Sequence, residues 1–111
     1  MDETELPEVI ATYQRAHDEH HTDASLATFA PTATVEDDGQ TYEGTERIRW
    51  WLDNGASEFT YTRTLTGVED LGDGEVLVRN HVAGNFPGGQ VDLQYRFRVE
   101  AGLITNLVIA P

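Results

Sequence analysis

Four histidines and an acidic turn cluster are the groups in this chain best suited to move protons near neutral pH. His17 lies one helical turn beyond Tyr13 on the same face, so its imidazole can serve as acid or base at a cavity mouth, or sit half-exposed near a helix end. His17 and His21 also stand four apart, a spacing that chelates metal on a helix, but no cysteine and no fixed third ligand accompany them. No metal site is therefore expected. Asp37 opens Asp37-Asp38-Gly39, which is a carboxylate available for proton transfer or simply a tight-turn residue, since that composition makes a hairpin whatever the function. His81 alternates in step with Leu77, Arg79 and Ala83. On a concave face His81 and Arg79 bind a carboxylate or enolate; on a convex face they belong to a subunit interface or to solvent.

The remaining composition narrows the field. With 7 basic residues, all arginine, against 20 acidic ones, the net charge is −13, which opposes nucleic-acid and anionic membrane partners. The absence of cysteine removes disulfides, thiolate zinc sites and cysteine nucleophiles. No Ser-His-Asp arrangement, phosphate loop or dinucleotide fingerprint occurs, and Gly84 to Gly89 joins strand to strand without a helix to receive phosphate. No cofactor is expected. The acidic start Met1-Asp2-Glu3-Thr4-Glu5 is unlike a signal peptide and no apolar run reaches membrane length, so a cytoplasmic location is expected. Such an acidic, lysine-free surface fits either a salt-rich cytoplasm or a GC-rich genome.

The 111 residues suffice for one domain, residues 1–111, whose elements must position these groups. Apolar positions spaced three and four apart, Leu6, Val9, Ile10, Tyr13 and Ala16, predict a helix from about Leu6 to His21. Thr22 or Asp23 can cap a second short helix carrying Leu26 and Phe29 and stopped by Pro31. A hairpin follows about Asp37-Asp38-Gly39. Gly44-Thr45 then starts a third helix with Ile48, Trp51 and Leu52 inward, ended by Asn54-Gly55, and Trp50 is left for a rim or a partner.

From Glu58 the period is two. Phe59, Tyr61, Arg63 and Leu65 share one strand face against threonines, Glu75 to Gly84 makes the next strand, and Val91, Leu93, Tyr95, Phe97 and Val99 alternate with Asp92, Gln94, Arg96 and Arg98. Leu103 to Ile109, apolar almost throughout, reads as a central strand buried on both faces. The order implies an α+β fold with helices on one face of an antiparallel sheet, and a sheet curling about a helix encloses a cavity.

The segments Val9-Ile10-Ala11-Thr12-Tyr13, Leu26-Ala27-Thr28-Phe29-Ala30-Pro31, Ala33-Thr34-Val35-Glu36-Asp37, Tyr42-Glu43-Gly44-Thr45-Glu46-Arg47-Ile48 and Gly102-Leu103-Ile104 carry a resemblance. In order and spacing they resemble the nuclear transport factor 2-like superfamily, and within it SnoaL-like polyketide cyclases and ketosteroid isomerases. The resemblance runs from Leu6 to Pro111. It implies a cone: three N-terminal helices packed on a strongly curved antiparallel or mixed sheet enclosing a pocket, commonly paired as a homodimer through the sheet's outer face. It also implies a small hydrophobic ligand, with either isomerase or cyclase chemistry or binding alone, since the fold hosts both, and a third reading is an interaction module using the acidic sheet face.

In the steroid isomerases a tyrosine of the first helix donates to the substrate oxygen and an aspartate ending the first strand shuttles the proton. Tyr13 and Asp37 fall at those positions. The family's second donor, a protonated aspartate on the penultimate strand, is matched here by Tyr95, which can donate a hydrogen bond but narrows the cavity. The expected catalytic set is thus Asp37 as base, Tyr13 as donor and His17 at the mouth. The expected pocket adds Phe29, Val35, Trp51, Tyr61, Tyr95, Phe97 and, if its strand face is concave, His81.

Overall fold

Three two-residue turns set the register of this chain. Asp38-Gly39, Asp73-Gly74 and Ala101-Gly102 each place two successive residues at positive φ (52° and 76°, 53° and 81°, 51° and 79°), the geometry whose twist matches antiparallel strands. The second position demands glycine most clearly at Gly74, where a Cβ would run into the Val99 carbonyl.

In the computed structural model, which describes residues 6–55 and 60–111, the elements follow the expected order. They are α1 (Glu8–Asp18), α2 (Thr22–Leu26), β1 (Phe29–Asp37), β2 (Gln40–Glu43), α3 (Thr45–Trp50) continued by a π-helical turn (Trp51–Gly55), β3 (Tyr61–Gly72), β4 (Glu75–Gly84), β5 (Gln90–Glu100) and β6 (Leu103–Ala110). The sheet is mixed, ordered β2-β1-β6-β5-β4-β3, with β1 and β6 parallel and the other neighbours antiparallel.

Four local expectations need correction. The first helix stops at Asp18, because Glu19 leaves helical geometry and His20 turns left-handed at φ 59°, so His17 and His21 are not on one helix. Phe29 and Pro31 belong to β1 rather than to α2. The parallel ladder to β6 is irregular between Phe29 and Thr34, and there Pro31 removes no donor that the ladder uses. The cap of α2 is His21, with no side-chain cap bond from Thr22 or Asp23. β6 is central as expected, but only Ile104 and Leu107 are buried, because the helices cover one face alone. The expected strand start at Glu58 and Phe59 lies outside the described residues.

The core forms where α1 and α3 meet the inner sheet face. Ile10 and Tyr13 from α1, with Ile48, Trp51 and Leu52 from α3 and its continuation, pack on Val35, Val78, Tyr95, Phe97, Ile104 and Leu107. Trp51 is 1% exposed whereas Trp50 is 53% exposed and stacks on Tyr42, as their opposed helical positions predict. On the outer face Arg96 and Arg98 pair with Glu75 across the strands.

Arg63 carries a cation into this core. The Arg63 side chain, 6% exposed, donates from Nη1 to Gln14 Oε1 at 2.9 Å and to Asn80 Oδ1 at 3.0 Å, while its Nη2 reaches Asp18 at 2.7 Å. This network ties α1 to β3 and β4. Replacing Arg63 by Met strands three polar groups, and we expect a loss of about 2 kcal/mol, below the range for a fully buried pair because Asp18 keeps water contact. Urea unfolding checks this, with Asp18→Asn expected to cost less.

Candidate functional site

The inner-face alternation of β4 and β5 opens a cleft of about 170 Å³. Val82, Val91, Leu93, Phe86, Tyr95 and Ile109 form its apolar floor and rim, and Tyr61, His17, Trp51 and Asp37 complete it. Asp37 is the last residue of β1, beside the turn, and is the only carboxylate among these lining residues. An apolar cavity of about 150 Å³ holds a benzene ring, so this one suits a ligand of one small ring.

The Trp51 indole Nε1 donates to Asp37 Oδ2 at 3.0 Å, which fixes the carboxylate against the cleft wall. Burial pushes the Asp37 carboxyl above the ordinary carboxylate range; the indole and the Asp38 backbone N–H act against that push, and the Asp38 charge adds to it. A Trp51→Phe variant loses the donor, so the Asp37 midpoint in a carboxyl NMR titration is expected to move further up. An unmoved midpoint would show that the indole does not govern that charge.

Two phenols, Tyr61 and Tyr95, line the cleft with the carboxylate, and Tyr13 lies behind them. Burial pushes the Tyr95 hydroxyl up to about 12, and it pushes Tyr61 and Tyr13 upward as well. All three are therefore protonated donors near neutral pH. Tyr13 is 1% exposed and its Oη is buried without a hydrogen-bond partner. Ionisation of Tyr95 and Tyr61 and the charges of Asp37 and Asp18 would each add to its upward push, after burial.

The histidines divide. His17 is sandwiched in a stack, with the Tyr13 ring at 5.8 Å and the Trp51 ring at 6.2 Å, and burial lowers its pKa to about 4. It is neutral at physiological pH, which removes the near-neutral titration expected of it. His81 lies on the opposite sheet face from the cleft, because Val76, Val78, Asn80 and Val82 occupy the inward positions of β4. There His81 Nδ1 meets Asp92 at 2.7 Å and Nε2 meets Gln90 at 3.2 Å, so it leaves the pocket set.

Of the expected pocket, the structure brings His17, Asp37, Trp51, Tyr61 and Tyr95 to one cleft. Tyr13, Phe29, Val35 and Phe97 are core residues behind that wall, all 6% exposed or less. The lining residues Val82, Phe86, Val91, Leu93 and Ile109 were not expected. Their signal was parity: each strand residue among them sits on the apolar side of its alternation. Among the described residues no group of three or more His, Asp or Glu side chains is placed to hold a metal.

No protein-family model matches the chain, and no curated protein does. Solved structures do. A candidate polyketide cyclase from Sinorhizobium meliloti is 34% identical and superimposes with a TM-score of 0.92 over 99% of this chain and 100% of that one. This chain belongs to the nuclear transport factor 2-like, SnoaL-like superfamily. Other superfamily structures share the fold at lower identity. A Catenulispora acidiphila protein with a ketosteroid isomerase-like fold, solved with trimethylamine, is 22% identical with a TM-score of 0.82, covering 96% of this chain and 86% of that one. The RV0760c protein of Mycobacterium tuberculosis, solved with estradiol-17β-hemisuccinate, is 21% identical with a TM-score of 0.77, covering 93% and 90%. Among the described residues no helix is long and apolar enough to cross a membrane.

Proposed function

We propose that the cleft binds a small hydrophobic carbonyl compound and moves a proton on it, as an isomerase or cyclase does, without a cofactor. The observation that carries this reading is one carboxylate, Asp37, pushed up by burial and held by the Trp51 indole in an otherwise apolar cleft walled by protonated phenols. A base of moderate pKa beside the α-carbon and donors for the developing enolate oxygen are what such a transfer needs.

Asp37 takes the α-proton and returns it to a second carbon. The oxygen gains charge meanwhile, and the two phenols that line the cleft, Tyr61 and Tyr95, face that charge, while Tyr13 keeps its unpartnered hydroxyl in the core behind them. His17 acts as a neutral wall. The helices and curved sheet form the cone that excludes water, and the outer sheet face pairs two copies into a cytoplasmic homodimer. Light scattering tests the pairing.

The test of the activity is hydrogen–deuterium exchange at the α-carbons of 2-cyclohexen-1-one and related enolisable ketones in D₂O, followed by proton NMR. Protein-dependent exchange supports the reading. Ketone binding without exchange favours the second reading, a non-catalytic ligand binder, which the position of Tyr13 behind the wall supports. Structures sharing this fold have been solved with trimethylamine and with estradiol-17β-hemisuccinate, and the volume of the cleft here favours the smaller kind of ligand.

A further inference from the structure

Asn80 breaks the apolar row of β4. Its neighbours on the inward face are Val78 and Val82, and its partner across β5 is Leu93, flanked by Val91 and Tyr95. Four of these five, Val82, Leu93, Val91 and Tyr95, line the cleft. A fully buried amide therefore stands in the sheet between cleft-lining residues, itself just behind the lining.

Its orientation is determined by chemistry. Arg63 Nη1 lies 3.0 Å from the Asn80 amide, and a guanidinium can only donate, so the oxygen Oδ1 must face it. The NH₂ group is turned away from the guanidinium, and Nδ2 is buried with no hydrogen-bond partner. Arg63 imposes the same arrangement on Gln14 of α1, whose Nε2 is also unpartnered, but Gln14 has no cleft-lining residues beside it in a strand row. An unsatisfied buried donor costs free energy in the unliganded fold, and a ligand acceptor recovers it.

We infer that the Asn80 side-chain amide donates to the carbonyl oxygen of the ligand, with Arg63 as the positioning residue that aims it. This rests on the reading of the cleft as a carbonyl site and adds the group that reads the oxygen. Asn80 then distinguishes a ketone from a hydrocarbon of the same size, because a ligand lacking the oxygen leaves the amide without a partner.

Two probes separate this role from packing: 2-cyclohexen-1-one and cyclohexene, titrated into the protein by NMR. Asn80→Asp keeps an oxygen toward Arg63 but offers no NH₂ group. The variant is expected to bind the ketone about tenfold more weakly and cyclohexene unchanged. In the wild-type protein the Asn80 NH₂ resonances are expected to shift with the ketone and stay in place with cyclohexene, a readout that needs no variant to fold. Equal weakening of both probes, or unmoved Asn80 amide protons at ketone saturation, overturns the assignment and leaves the cleft as a carbonyl site. Failure of the wild-type cleft to take up the ketone overturns the reading of the cleft and this assignment together.

Discussion

Asp37→Asn is expected to lower protein-dependent α-proton exchange by roughly 10²–10⁴-fold, the usual worth of a positioned general base. The amide keeps an oxygen toward the Trp51 indole, which now donates to Asp37 Oδ2 at 3.0 Å, so the local geometry persists while the base is lost. The same substitution has a second, opposite signature in stability. Burial raises the Asp37 pKa in the folded state, so between its unfolded and folded values the folded chain holds more protons than the unfolded one. Stability from this group is therefore greatest at low pH and is lost as pH rises through the raised folded pKa. Asp37→Asn should melt above the wild type at about pH 7 and alongside it at about pH 3, where the carboxyl is protonated in both states. A variant that keeps wild-type exchange would remove Asp37 from the mechanism. A variant that melts lower at neutral pH would show that the carboxylate stabilises the fold instead.

A sequence read by periodicity finds faces before it finds depth. The alternation of Val91, Leu93, Tyr95, Phe97 and Val99 placed β5 correctly, yet nothing in that alternation separates Leu93 and Tyr95, which meet the cleft, from Phe97, which is sealed beneath α1. That difference comes from where along each strand the helices stop covering the sheet. Tyr13 shows the same limit, since a helical face predicts burial but not whether the hydroxyl opens into a cavity.

The face of His81 stays open in the sequence because Leu77 and Ala83 lend its row some apolar character. The better signal was the opposite row, where Val76, Val78 and Val82 alternate inward around Asn80. A polar residue at an apolar parity position is either an error of register or a group with work to do. Arg63, set between Tyr61 and Leu65, is the same kind of exception, and the two exceptions hydrogen-bond to each other at 3.0 Å. The distance from Arg63 to Asp18 and Gln14 in sequence explains why no local pattern revealed the network. The parallel pairing of β1 with β6 is equally non-local, joining the first strand to the last.

His17 carries the other large expected effect, and it is one of acid sensitivity. Burial between Tyr13 and Trp51 lowers its pKa from 6.5 to about 4, with the adjacent Asp18 opposing this and His20 and Arg63 adding to it. In the unfolded chain the imidazole is protonated below its ordinary pKa, whereas in the folded chain it stays neutral until the lower one. Between those values the unfolded state binds more protons, so stability rises with pH. The contribution is complete above about pH 6.5 and is lost as pH falls toward about 4, amounting to about 3 kcal/mol in all. For a domain of this size that corresponds to a melting shift on the order of 10 °C. Other carboxylates also titrate on acidification of a chain with net charge −13, so the wild type alone cannot isolate the effect. His17→Phe can, because it keeps a flat ring in the stack and removes the titration. The melting temperature of His17→Phe relative to wild type should therefore climb by that amount between neutral pH and about pH 4. A constant difference across the range would mean that the imidazole is solvated or paired when charged, and that the cleft wall is wetter than its apolar lining implies.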